Sequence, residues 1–179
     1  MMSFSPFMTA LGVGFVEATE RGICRVQLPG GDTRQMLCPT GASSLLTDRA
    51  AEMLTCYFRG TPQPFESLPI DCMVATDFRR MVIEIVRRIP YGGSMSYGQV
   101  AAEAGSASAS RAVGRIMAVN PVPVIVPCHR VVAADGALTG FSAPGGLELK
   151  KSLLIMEGIE ISGQGMRSKI VSYKQQKLA

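Results

Sequence analysis

Hydrophobic and polar positions change period several times along the chain. From Leu11 to Glu17 the residues are strand-forming, and Cys24, Val26 and Leu28 alternate with Arg25 and Gln27 as in a half-buried strand. Glu20-Arg21-Gly22 between the two runs predicts a hairpin. The interval then lengthens: Leu46, Ala50, Met53 and Tyr57 recur at helical spacing until Gly60. The run from Thr61 to Pro69 holds too many prolines to continue either pattern and reads as a linker.

A second unit begins near Thr76. Phe78, Val82 and Ile85 mark one face of a helix, with Thr76 or Asp77 as its cap and Pro90 beyond its end. Ser96-Tyr97-Gly98-Gln99 has the form of a capping box and predicts a short helix that stops at Gly105. A second helix is expected over 108–119 after only a few small residues, which is helix-turn-helix spacing. Asn120-Pro121 ends it. The β-branched run from Val122 to Val126 predicts a buried extended segment, Asp135-Gly136 a turn, and Leu149, Leu153 and Met156 a final helix over 147–157 stopped by Gly158.

Composition narrows the classes. The chain has 179 residues, 47% hydrophobic and 18% charged, enough for one large domain or two small ones with a real core. No apolar stretch approaches the length of a membrane span, and Met1-Met2-Ser3-Phe4-Ser5-Pro6 lacks the pattern of a secretory leader, so no membrane partner is expected and the cytoplasm is the expected location. The net charge of +4 hints at nucleic acid. The segment 161–179, however, carries Arg167, Lys169, Lys174 and Lys177 and no acid, which accounts for all of it and leaves a near-neutral body. That basic segment is expected to be a flexible tail. The five cysteines show no paired spacing, and with one histidine and no Cys-x-x-Cys neither a disulfide framework nor a metal site is expected.

The one histidine stands beside a cysteine, in Pro127-Cys128-His129-Arg130. A thiol is a strong nucleophile only as its thiolate, and a neighbouring imidazole and guanidinium are groups that make thiolate accessible near neutral pH. Cys128 and His129 are therefore the first candidates for chemistry. Taken singly, Cys128 could be a buried structural cysteine, Glu157 a solvated helix-end carboxylate, Tyr97 a core-edge aromatic, and Arg111 with Arg115 a solvated helix face.

The run Pro127-Cys128-His129-Arg130 resembles the active-site signature of the O6-alkylguanine-DNA alkyltransferases, the methylated-DNA–protein-cysteine methyltransferases. Asn120-Pro121, Arg111-Ala112-Val113-Gly114, Tyr97 and Glu157-Gly158 match that family in order and spacing, and Tyr57-Phe58-Arg59-Gly60 before a proline-rich stretch is similar to its N-terminal domain. The resemblance implies an α+β fold: a small ribonuclease-H-like α/β domain over 1–72, and a mainly helical domain over 73–160 with a helix-turn-helix of winged-helix type.

The resemblance also implies a reaction. Cys128 would take the alkyl group from the O6 atom of a guanine in double-stranded DNA and keep it as a thioether, with His129 as base through a water, Glu157 orienting His129, Tyr97 assisting the leaving guanine, and Asn120 holding the turn before the active-site segment. Arg111 would fill the gap left by the flipped nucleotide. Ser110, Ala112 and Arg115 would lie with Tyr97 against DNA, in the minor groove, and Pro123, Val131, Phe141 and Ser142 would surround the base. No cofactor is implied, the expected state is a monomer, and O4-alkylthymine is a further candidate substrate. The sequence departs from the commoner pattern at Ile83, where tryptophan is usual, at Phe141, where tyrosine is common, and at Ala143-Pro144, which look inserted. Two alternatives remain open: a non-repairing lesion-recognition or regulatory protein on the same fold, and a thiol hydrolase using Cys128, His129 and Glu157.

Overall fold

A computed structural model describes residues 2–30, 41–71 and 76–171. Its architecture is α+β, with two compact units: Met1–Val74 together with Pro121–Ile125, and Ala75–Asn120 together with Val126–Ala179. Residues 121–125 thus cluster with the first unit, whereas the sequence reading placed them inside the second.

The first unit is an antiparallel meander, β1 (Ser3–Thr9), β2 (Gly12–Thr19) and β3 (Gly22–Gln27), followed by α1 (Leu45–Tyr57). β1 escaped the sequence reading because Pro6 interrupts it; the strand lies at the sheet edge, where a missing N–H is tolerated. Phe7 points inward across Gly14, where a Cβ would sit 2.2 Å from the Phe7 ring. The expected hairpin is present, with Thr19 opposite Gly22. A register shift at Glu17/Ala18 leaves Cys24 without a partner on β2, so Ile23 and Val26 turn inward and Cys24 is only half-buried. This one-residue bulge explains why strict alternation through Cys24 fails.

Ser44 and Thr47 cap α1 reciprocally, and Ala50, Leu54 and Tyr57 are fully buried. The proline-rich run is not a loose linker. A 3-10 turn at Phe65–Ser67 buries Phe65 and Leu68, and Ile70 forms a parallel bridge with Ile23, where the Ile23 amide donates to the Pro69 carbonyl at 2.9 Å. Prolines stop regular structure here but leave the backbone extended enough to cover a sheet edge. The segment 122–126 is buried as expected but turns rather than extends, since Val124 has a left-handed φ of 73°. A β-branched residue adopts that region only when its surroundings hold it there.

The second unit begins with α2 (Asp77–Arg87), capped by the Thr76 hydroxyl and burying Val82, Ile83, Ile85 and Val86. β4 (Met95–Ser96) leads directly into α3 (Tyr97–Glu103), whose Ser96/Gln99 capping box is formed as expected. Then follow α4 (Ser110–Ala118), β5 (Val131–Val132) and α5 (Gly146–Met156). β4 and β5 pair in parallel, Met95 beside Val131. That pairing brings the start of α3 to the segment that carries Cys128 and His129.

The expectation of a flexible tail over 161–179 fails for its first part. β6 (Ile161–Ser162) and β7 (Lys169–Ile170) pair antiparallel, and Ile170 is buried against Val132, Leu138 and Leu154. The polar, basic composition concealed two isoleucines that supply the anchoring area. Residues 172–179, with Lys174 and Lys177, lie outside the described residues. Among the described residues no helix is long and apolar enough to cross a membrane.

Candidate active site

Cys128 opens a 3-10 turn, Cys128–Arg130, set by Pro127 before it and β5 after it. The turn splits neighbouring side chains into two directions. Toward one side, the Asn120 side-chain amide donates to Cys128 Sγ at 3.2 Å and to the Val126 carbonyl at 2.9 Å, so the turn that ends α4 also fixes the thiol. Toward the other, His129 Nε2 lies 2.8 Å from Glu157 Oε1, with both side chains wholly buried. Glu157 is the C-terminal cap of α5, a position where the helix dipole disfavours an anion.

What offsets that cost is Arg130. Its Nε donates to Glu157 Oε2 and its Nη2 to Oε1, both at 2.9 Å, its Nη1 donates to the Ile89 carbonyl at 2.6 Å, and its guanidinium lies 5.9 Å from the Tyr91 ring centre. The Gly92 amide adds a bond to Oε2 at 3.3 Å. Burial opposes ionisation of Glu157, but the hydrogen bonds from His129 and Arg130 and the Arg130 charge overcome it and draw the carboxyl down to about 2. Burial also pushes the His129 pKa down, against the pull of Glu157, so the imidazole is neutral. With Nε2–H given to the carboxylate, proton uptake falls to Nδ1.

The expected activation of the thiol by an adjacent imidazole and guanidinium is therefore corrected. Both groups are turned to Glu157, and burial raises the Cys128 pKa above the ordinary thiol value. The forces acting the other way are the Asn120 amide, the Lys150 charge and the backbone N–H groups of Cys128 and His129. A thiol of this kind rests protonated and needs a base at the moment of reaction.

Lys150 was missed in the sequence. It follows the apolar Leu149 in α5, which buries Leu149, Lys150, Leu153 and Leu154 rather than the Leu149, Leu153 and Met156 face expected. Its ammonium donates to the Val131 carbonyl at 2.7 Å and the Thr139 carbonyl at 2.9 Å, and burial lowers its pKa to about 8. A lysine beside periodic leucines was the only available signal, and it is as common on solvated helix faces.

An open groove of about 540 Å³ runs along α4. Tyr97, Ser110, Arg111, Phe141 and Ser142, candidates from the sequence, line it together with the unanticipated Gly114, Met117, Ala118, Thr139 and Gly140. Tyr97 Oη reaches the Thr139 carbonyl at 3.4 Å, and burial raises its pKa, so the phenol keeps its proton. Ala112 and Arg115 lie on α4 but outside the lining, Arg115 exposed. Val131 and Pro123 do not line the groove either. Val131 is enclosed in the β4–β5 pair and offers only its carbonyl, and Pro123 is a buried member of the first unit. Among the described residues no group of three or more His, Cys, Asp or Glu is placed to hold a metal ion.

The family described as 6-O-methylguanine DNA methyltransferase, DNA binding domain, matches residues 77–159. A methylated-DNA–protein-cysteine methyltransferase of Mus musculus is 34% identical over 176 residues, covering 88% of this chain and 82% of its own length. One of the same name from Mycolicibacterium paratuberculosis is 42% identical over 108 residues, covering 60% of this chain and 63% of its own length, so the match spans under two thirds of that relative. In solved structures, the O6-methylguanine methyltransferase of Mycobacterium tuberculosis superposes with a TM-score of 0.71 at 30% identity, over 88% of this chain and 93% of that one. Mycobacterium tuberculosis OGT in complex with DNA superposes with a TM-score of 0.69 at 30% identity, over 87% and 92%. A buried cysteine held by Asn120, a His129–Glu157 pair and a groove bearing Arg111 thus occur in a chain that aligns along most of its length with these proteins: it belongs to the O6-methylguanine-DNA methyltransferase family.

Proposed function

We propose that this protein repairs alkylated guanine in duplex DNA by moving the alkyl group from O6 to Cys128, once per molecule and without a cofactor. The observation that carries the reading is the arrangement of Cys128. A protonated thiol, wedged against the Asn120 amide, stands next to a neutral histidine whose far nitrogen is fixed by Glu157.

In the step itself, Cys128 Sγ attacks the alkyl carbon, the carbon–O6 bond breaks, and its electron pair stays on guanine. The thiol proton passes through a water to His129 Nδ1, and the departing guanine takes a proton or hydrogen bond from Tyr97. Arg130 has a part that the sequence reading did not give it. By neutralising Glu157 it keeps the carboxylate from charging the imidazole at rest, so His129 is available as a base. Because a thioether is not hydrolysed under these conditions, the protein is consumed.

A guanine within a duplex cannot reach a buried thiol, so the nucleotide rotates out into the groove lined by Tyr97, Phe141 and Ser142. Arg111 occupies the vacated stack. Ser110, Ala112 and Arg115 lie along the minor groove, where small α4 side chains permit close approach. Phosphate contacts dominate and sequence preference is weak. The β1–β3 meander with α1 supports a ribonuclease-H-like first domain, and α3 and α4 with the small β4–β5 pair support a helix-turn-helix of winged-helix type. The protein acts as a monomer in the cytoplasm.

The test is a duplex carrying one radiolabelled O6-methylguanine. Label should plateau at one equivalent on Cys128, and Cys128→Ala should acquire none. Lesion binding by the intact protein without any transfer would instead identify a recognition protein, and repeated turnover on esters a hydrolase.

A further inference from the structure

We infer that the C-terminal hairpin β6–β7 is a brace that holds the groove-lining loop Thr139–Ser142 in its working position. The inference rests on the reading of the groove as the seat of the alkylated base.

The loop needs holding. It is followed by Ala143-Pro144-Gly145-Gly146, and Gly140, Gly145 and Gly146 all have positive φ, so the segment has wide conformational freedom and a high entropic cost of order. Its far end leads into α5, and at its first residue Lys150 and Tyr97 donate to the Thr139 carbonyl. The residues just before the loop are tied to the hairpin. The Leu138 amide donates to the Ser168 carbonyl at 2.9 Å, the Ile170 amide donates to the Gly136 carbonyl at 3.1 Å, and Ala137 and Lys169 form an antiparallel bridge. β7 is in effect a third strand zipped to residues 136–138, ending one residue before the loop begins.

The hairpin is built for this rather than draped over the surface. At Gly163 a Cβ would meet the Arg167 carbonyl oxygen at 2.3 Å and φ is +82°, so only glycine closes the turn. The Val171 amide donates to the Glu160 carbonyl at 2.9 Å across its open end. Ile170 and Leu138 are buried together, which couples the position of the strand to that of the residue just before the loop. The hairpin bonds named above run to residues 136–138 and 160 and not to Cys128, His129 or Glu157, so the hairpin acts on positioning and not on the chemistry of the thiol.

Two variants separate the effects: Ile170→Pro, which removes the amide that bonds Gly136, and a chain ending at Glu160. Each is assayed for transfer from a duplex with one O6-methylguanine and for modification of Cys128 by iodoacetamide. Both should transfer methyl at least fivefold more slowly at saturating DNA, while iodoacetamide modification, which needs no base-binding loop, stays within twofold. Transfer at the parent rate overturns the brace, as does an equal loss in both assays from a protein that still melts cooperatively. Should the variants fail to fold, hydrogen exchange of the intact protein decides. The Leu138 and Ile170 amides should be protected like those of α5, and complete exchange in the first minute overturns the proposal. Failure of the intact protein to transfer at all would count against the alkyltransferase reading instead.

Discussion

Glu157→Gln is the most informative single change, because it removes a charge and almost no volume. Both carboxylate oxygens are engaged: Oε1 by His129 and Arg130, Oε2 by Arg130 and the Gly92 amide, and the side chain is wholly buried. These partners hold the carboxyl at about 2 against an ordinary 4.5. That difference corresponds to roughly 3 kcal/mol at about 1.4 kcal/mol per unit. The folded pKa is depressed, so the stabilisation is complete above about pH 4.5 and is lost as the pH falls toward 2. In the variant an amide NH2 must face an Arg130 or Gly92 donor, and a nearly buried guanidinium loses its counter-charge. Breaking a buried pair in this way costs about 3–5 kcal/mol. At about 2–4 °C per kcal/mol for a chain of this size, calorimetry at pH 7 should show the transition of the second unit falling by roughly 6–20 °C. The variant should also lose the acid-dependent part of its stability between pH 4.5 and 2, and Arg130→Met added to Glu157→Gln should recover part of the deficit. A Glu157→Gln protein that melts within about 2 °C of the parent and keeps the same acid limb would refute the electrostatic account.

Three further outcomes follow from the same geometry. Iodoacetamide modification of Cys128, followed by mass spectrometry against pH, should still be rising beyond the ordinary thiol range, because burial raises the thiol; a midpoint below neutrality in the parent would contradict this. Asn120→Ala removes the bonds to Sγ and to the Val126 carbonyl, so it should cost about 1–3 kcal/mol in denaturant unfolding and shift the thiol further up. Arg111→Ala alters an exposed residue and should leave stability within about 0.5 kcal/mol, yet weaken duplex binding and lower the salt slope by about one. Unchanged binding would remove Arg111 from the interface.

Where one local interaction decides an outcome, the amino-acid order was enough. The Ser96/Gln99 box starts α3 as read, Thr76 caps α2, and the Glu20-Arg21 hairpin forms, because each depends on residues within a few positions of one another. The reading failed where distant residues compete with the local pattern. Cys24 breaks alternation because β2 shifts register, the prolines of 61–70 are recruited by Ile23, and β1 forms in spite of Pro6. The C-terminal segment looks like a polar tail until Val132, Leu138 and Leu154 give Ile170 a place to be buried.

The candidate site divides along the same line. Cys128, His129 and the family signature around them were legible in sequence, since adjacency on the backbone needs no fold. The direction of each side chain was not. One 3-10 turn sends Cys128 toward Asn120 but His129 and Arg130 toward Glu157, and so makes the arginine a partner of the carboxylate and not of the thiol. Lys150 was hidden for a related reason: burial of a cation becomes tolerable only once the Val131 and Thr139 carbonyls converge on it from separate parts of the chain. The sequence by itself determined which groups could do chemistry here. Tertiary structure decided their protonation, because pKa values follow burial and partners, and those are set by contacts across the fold.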